Sequence, residues 1–160
     1  MRKTILLFVC LFATLHLIAE DGYRLWLRYD KVSNPQLLQQ YRNSIGAIQF
    51  KASTPVLQSA KKELLEGLQG LLEKKMPESA TTDRLLAAGT PASSKLVQTL
   101  FTPAELSQLG EEGFMISTRK AGGKSVLVIA ANTDKGVLYG VFHFLRLLQT
   151  HRAGNCQLKA

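Results

Sequence analysis

Cysteine, histidine and aromatic residues are all scarce in this chain: two Cys and three His in 160 residues, with aromatics at 8%. Cys10 falls inside an apolar leader and is lost with it, which leaves Cys156 alone and excludes an internal disulfide in the mature chain. The core must hold the fold by itself. Zinc sites need three or four ligands, and the histidines do not supply them. His143 lies between Phe142 and Phe144 with no second His at ligand spacing, and His151 lies beyond the end of that helix. Both are read as structural, and no metal ligand or cofactor is expected. Internal repeats and low-complexity tracts are also missing. With an apolar share of 46%, this length gives one globular domain.

No acid occurs in the first 19 residues. Arg2 and Lys3 precede an apolar run from Thr4 to Ala19, and Leu17-Ile18-Ala19 ends in a small residue at a cleavage position. That is the pattern of a secretory signal peptide over residues 1–19. A single anchoring helix is the competing reading, but the run is short for a span and is followed at once by Glu20 and Asp21. Cutting after Ala19 removes Arg2 and Lys3, so 20 Lys+Arg become 18 against 12 Asp+Glu, a net charge of +6. No stable membrane span is then expected, and the product is exported to the periplasm or beyond the cell.

From Tyr23 to Tyr29, Tyr/Leu/Leu/Tyr alternate with Arg/Trp/Arg, which reads as a first strand. Trp26 between two arginines could stack on a sugar ring or a nucleobase; equally, the strand's alternate residues cover the helix layer while the arginines reach solvent. Asn34-Pro35 opens a short helix with Leu37, Leu38 and Tyr41 inward. Ile45 to Phe50 is a second strand. Ser53 or Thr54, before Pro55, starts the longest helix, expected to run to about Lys75 with Val56, Leu57, Ala60, Leu64, Leu68, Leu71 and Leu72 inward. Its outer residues mix both signs of charge, which argues against a nucleic-acid-binding face. Leu85 to Ala88 forms a third strand into a turn at Gly89-Thr90-Pro91. Ser93 or Ser94 caps one short helix, and Thr102-Pro103-Ala104-Glu105 has capping-box spacing for another.

The chain is organised around residues 110–149. Phe114, Ile116 and Thr118 alternate with Met115, Ser117 and Arg119; Gly122-Gly123 turns; and Val126-Leu127-Val128-Ile129 follows, apolar enough to be buried on both faces. Thr133 or Asp134 then caps a final helix. Its expected inner stripe is Val137, Leu138, Val141, Phe142, Leu145 and Leu148, with Tyr139, Phe144 and Leu147 on other faces. Gly136 and Gly140, poor helix formers, imply close packing of that helix on something flat. The fold class is therefore α+β: an α/β two-layer sandwich with a mixed β-sheet and helices packed on one face, parallel where helices intervene and antiparallel at the hairpin.

Residues 129–149, with Gly110 to Phe114 before them, resemble the end of the N-terminal domain of bacterial α-glucuronidases, glycoside hydrolase family 67. Asp21 to Asp30 is similar to the same family's opening, and Gly89-Thr90-Pro91 also fits. The likeness reaches to about Gln149 and implies an accessory domain over residues 20–150 of the type found in family 67 and hexosaminidase-type glycosidases; residues 151–160 form a tail unlike the family. It also implies an enzyme that removes 4-O-methyl-glucuronic acid from xylan-derived oligosaccharides, inverting configuration with carboxylates in a downstream (β/α)8 barrel. Such a barrel takes roughly 250 residues. The chain stops where it would begin, so the resemblance assigns no catalytic or substrate-binding residue here.

The residues agree. Glu111 and Glu112 are neighbours that would point to opposite sides and cannot flank one glycosidic bond. Gly122-Gly123-Lys124-Ser125 resembles the end of a phosphate-binding loop, but Thr118 stands where the first glycine is required, and a strand follows instead of a helix. Asp134 belongs to the helix start and not to a catalytic base. Two other classes stay open from the residues alone: a free-standing carbohydrate-binding module with Tyr23, Trp26 and Tyr29 as platform, and a basic interaction protein for anionic surfaces.

Overall fold

The computed structural model describes residues 28–79, 83–151 and 157–159. The expected leader and most of the first strand, Tyr23 to Leu27, lie outside the described residues, as does Cys156. Ten elements follow in chain order. They are α1 (Pro35–Ser44), β1 (Ala47–Gln49), α2 (Pro55–Leu72), β2 (Leu85–Gly89), α3 (Lys95–Leu100), α4 (Pro103–Ser107), β3 (Phe114–Ala121), β4 (Lys124–Ala131), α5 (Asp134–Gln149) and β5 (Gln157–Lys159).

Local chemistry sets the helix starts. Asn34, Thr54, Ser94, Thr102 and Thr133 each accept a backbone N–H of the first turn through the side chain. Thr102 and Glu105 complete a reciprocal capping box. The end of α2 departs from expectation: the helix stops at Leu72, because Glu73 turns left-handed (φ 44°). There its carboxylate meets Lys31 at 2.7 Å, while Arg42 Nε donates to the Leu72 carbonyl at 2.7 Å. An arginine from α1 thus satisfies a carbonyl that a longer helix would have used. Val56, placed inward by periodicity, is 39% exposed, while its neighbour Leu57 carries the core contact of the first turn of α2 at 1% exposure.

The sheet order is β1-β2-β4-β3-β5. β1, β2 and β4 are parallel neighbours, joined through helices, and β3 pairs antiparallel with β4 across a two-residue turn. Gly122 and Gly123 hold φ of 55° and 80°, the positive values that a primed hairpin turn demands at both central positions. β5, from the tail that does not resemble the family, lies along the outer edge of β3 between Met115 and Ser117. It covers part of an edge that would otherwise be open to strand addition.

Alternation distributes the strand residues between two cores. Leu86, Ala88, Ile116, Ile129 and Ala131 join the residues of α1, α2 and α5 on one face. Leu85, Ala87, Met115, Val128 and Ala130 join Val97, Phe101 and Leu106 on the other. The mixed sheet stands as expected, and the three long helices do share a face; the opposite face carries the short α3 and α4 as a thin cover. A strand such as β2, buried at all five positions, requires that second cover.

Helix α5 sits in the corner between the sheet and α2. Cβ atoms added at Gly136 and Gly140 would meet Gly113 O and Ile129 Cγ2, each at 2.6 Å, so the helix backbone rests directly on the sheet. Gly67 of α2 does the same for Leu145, whose methyl carbons would stand 2.7 Å from an added Cβ. Gly136, Gly140 and Phe144 form one i, i+4 row. That row corrects the predicted stripe: Phe144 is 1% exposed in the core, whereas Phe142 is only half-buried at the outer margin. Leu147, also placed outward, is buried because α5 is covered on two sides.

Candidate functional site

The outer stripe of α5 remains uncovered. Tyr139, Phe142, His143, Arg146 and Gln149 recur at three- and four-residue spacing and, with Phe114 at the start of β3, line a groove of about 840 Å³. Tyr139 is 41% exposed and is one of two large apolar residues so placed among those described. The ring of His143 lies 5.2 Å from that of Phe114 at 47°. Arg146 Nη2 stands 2.9 Å from His143 Nδ1. A guanidinium can only donate, so Nδ1 accepts and any proton of the neutral ring is on Nε2. Burial first, and the Arg146 charge second, lower the His143 pKa below the ordinary imidazole value and keep this ring neutral. Gln149 Oε1 is buried without a hydrogen-bond partner. Aromatic faces, one cation and an unpaired amide oxygen make a contact surface, with no carboxylate among the lining residues.

Several of the other described carboxylates are held by cationic partners. Glu105 is held by the Thr102 backbone and by Arg119 at 2.8 Å, which lower its pKa to about 2. Glu73 is lowered by its hydrogen bond to Lys31. Glu78 pairs with Lys61 at 2.8 Å and Asp83 with Lys124 at 3.1 Å. Both displaced carboxyls, Glu73 and Glu105, are thus displaced downward by hydrogen-bond partners.

The singled-out residues fall out as follows. Glu111 and Glu112 lie in the exposed turn before β3; Glu112 pairs with Lys135 at 3.1 Å and raises the lysine pKa. Thr133 is the cap of α5, and Asp134 accepts from Thr54 Oγ1 at 2.6 Å, tying the starts of α2 and α5 together. Lys124 and Ser125 open β4 after the hairpin turn, so that loop presents no helix N-terminus. His151 follows α5 with φ 62°. Tyr29 departs from the platform reading: it takes φ 50°, donates its hydroxyl to Glu63 and packs against Gly67 and Gly70 of α2. Its ring is spent on the core; Tyr23 and Trp26 lie outside the described residues. Among those described, no group of three or more His, Cys, Asp or Glu could hold a metal ion, and no helix is long and apolar enough to cross a membrane. The outer stripe of α5 was visible in sequence as apolar residues off the main stripe, but assigned to the wrong phenylalanine.

Comparison with known proteins gives this arrangement a family. A probable alpha-glucuronidase A of Neosartorya fischeri is 31% identical over 134 residues, covering 81% of this chain and 15% of the relative. An alpha-glucuronidase of Hypocrea jecorina is 30% identical over 153 residues, covering 89% of this chain and 17% of the relative. The chain therefore spans about a sixth of the length of these relatives. Among solved structures, a family GH115 4-O-methyl-alpha-glucuronidase with specificity for decorated arabinogalactans superposes with a TM-score of 0.51 at 27% identity, over 65% of this chain and 13% of that one. Residues 25–144 match the family described as Glycosyl hydrolase family 67 N-terminus, and the chain belongs to that family as an α-glucuronidase N-terminal domain.

Proposed function

We propose that this chain is the non-catalytic N-terminal domain of an exported α-glucuronidase that removes (4-O-methyl)glucuronic acid from xylan-derived oligosaccharides, the reaction being carried by a (β/α)8 barrel in the remainder of the enzyme. The match of residues 25–144 to the family 67 N-terminus carries this reading. The relatives it matches support it too, since the chain covers only 15–17% of the length of alpha-glucuronidases such as those of Neosartorya fischeri and Hypocrea jecorina. The domain's part is then mechanical. The groove along Tyr139, Phe142 and His143 is the face on which the barrel seats, because a helix apolar on its outer side is normally covered there too.

The test is direct. The purified 160-residue protein should release no glucuronic acid from aldouronic oligosaccharides, and detectable turnover would overturn the assignment. Export is checked separately by mass spectrometry of secreted material, with an N-terminus close to Glu20 expected and a retained Met1 pointing to an anchor.

A further inference from the structure

The outer stripe of α5 is complementary to itself. Tyr139 and Arg146 are two helical turns apart, so they stand on one face with about 10 Å between them along the axis. Phe142 and His143 lie between, and all four line the groove. We propose that this groove is a self-recognition surface, on which a second copy of the chain lays its own α5 antiparallel across a two-fold axis between Phe142 and His143.

The register follows from the axis. An isologous contact sets one patch against the same patch, so a two-fold through the middle of the stripe exchanges position 139 with 146 and position 142 with 143. Tyr139 then faces the partner's Arg146, and Phe142 faces the partner's His143, each contact being made twice. A guanidinium over a tyrosine ring is a favourable cation–π pair. The neutral His143 ring repeats with the partner's Phe142 the kind of contact it already makes with Phe114, whose ring centre is 5.2 Å away.

Charge selects the direction. Arg146 is the one cation among the groove's lining residues, and no acid lies there to pair with it. Parallel helices would set Arg146 on Arg146 and Tyr139 on Tyr139. The antiparallel arrangement parts the two guanidinium groups by roughly 10 Å, a Debye length at ordinary salt. Both residues are free to meet a partner: Tyr139 is 41% exposed, and Arg146 is exposed with Nη2 on His143 Nδ1.

The far end of the stripe fits as well. Gln149 Oε1 is buried without a hydrogen-bond partner, and the same axis brings the partner's Lys135 to that end of α5. The Lys135 ammonium gives one proton to Glu112 at 3.1 Å and has others to donate. One helix stripe per copy is a small interface, below about 1,200 Å² in total, so the association is weak, on the order of micromolar. The face is the one on which the barrel seats, but the self-contact rests on the stripe alone and not on that reading.

Sedimentation equilibrium of the full chain at rising concentration tests it. A monomer–dimer equilibrium that stops at two copies is expected, because a two-fold contact closes. Tyr139→Ala and Arg146→Ala should each weaken it about five- to tenfold, since either removes both copies of the cation–π pair. The double variant should weaken it no further than the stronger single one, because the two residues act on each other. Lys95→Gln, on α3 across the sheet, should leave it unchanged. In a Cys10→Ser, Cys156→Ser background, Tyr139→Cys mixed with Arg146→Cys should crosslink through a short thiol reagent faster than either variant alone. Open-ended association, additive effects of the two alanines, association untouched by either, or faster crosslinking of like positions would each overturn the proposal. A monomer whose groove still binds a hydrophobic dye would also overturn it, while leaving the barrel seat standing.

Discussion

The sheet is covered by two different kinds of layer. On one face, α1, α2 and α5 bury Leu57, Leu64, Leu68, Phe144 and Leu145 to 1% exposure or less, with glycines letting helix backbones touch the sheet and each other. On the other, six-residue α3 and five-residue α4 place Val97, Phe101 and Leu106 over the strands. The thick face is held by interlocking shape. The thin face leans on polar ties, since helices this short are not stable alone. Thr102 and Glu105 cap α4, Glu105 reaches Arg119 of β3, and the Arg119 guanidinium lies 4.6 Å from the centre of the Phe101 ring. A long helix can be specified by packing, whereas a short one needs its ends and its salt links.

The largest expected effect tests that contrast. Phe144→Ala opens a hole between α5, α2 and the sheet and should cost about 3–5 kcal/mol, against about 2 kcal/mol for Leu106→Ala, where the short helices can settle inward. Denaturant unfolding of both variants measures the gap; equal costs would show that the two faces are equally rigid.

Next comes a contrast within α5 itself. Tyr139→Ser and Phe142→Ser alter the outer stripe and should change stability by less than about 1 kcal/mol, while reducing hydrophobic-dye binding and self-association of the isolated chain, which an exposed apolar groove promotes. A dye-silent, strictly monomeric parent protein would remove the docking-face reading.

The smallest effect concerns pH. The Glu105 pKa is depressed from 4.5 to about 2 by the Thr102 backbone first and Arg119 second. The unfolded carboxyl therefore binds protons before the folded one, and the stabilisation is complete above 4.5 and is lost as pH falls towards 2. Glu105→Gln should flatten the stability profile in that window, leaving neutral-pH losses to the broken link with Arg119. A profile as steep as the parent's would place the acid sensitivity elsewhere.

Much of the fold was legible because local rules and the global answer coincide. The caps at Asn34 and Thr102, the cap pairs Ser53/Thr54, Ser93/Ser94 and Thr133/Asp134, from which the structure selects Thr54, Ser94 and Thr133, the primed turn at Gly122-Gly123 and the continuous apolar runs of β2 and β4 are short-range signals, and these elements formed where they stood. Misreadings came where a distant residue intervened. Arg42, thirty residues away, ends α2 at Leu72; Glu63, thirty-four away, draws Tyr29 onto α2.

By itself, then, the sequence determined the order of elements from α1 to α5, the mixed sheet and the likeness to family 67, because periodicity and capping act within a few residues. The glycine row at Gly136 and Gly140 was equally present in the sequence and, extended by one step, already contained Phe144. Only the tertiary structure decided which phenylalanine of α5 faces inward, that a second thin layer covers β2, and that Phe114 joins the outer stripe of α5 in one groove. Those outcomes depend on how far helices approach a sheet and which strand ends meet, distances that no local pattern encodes.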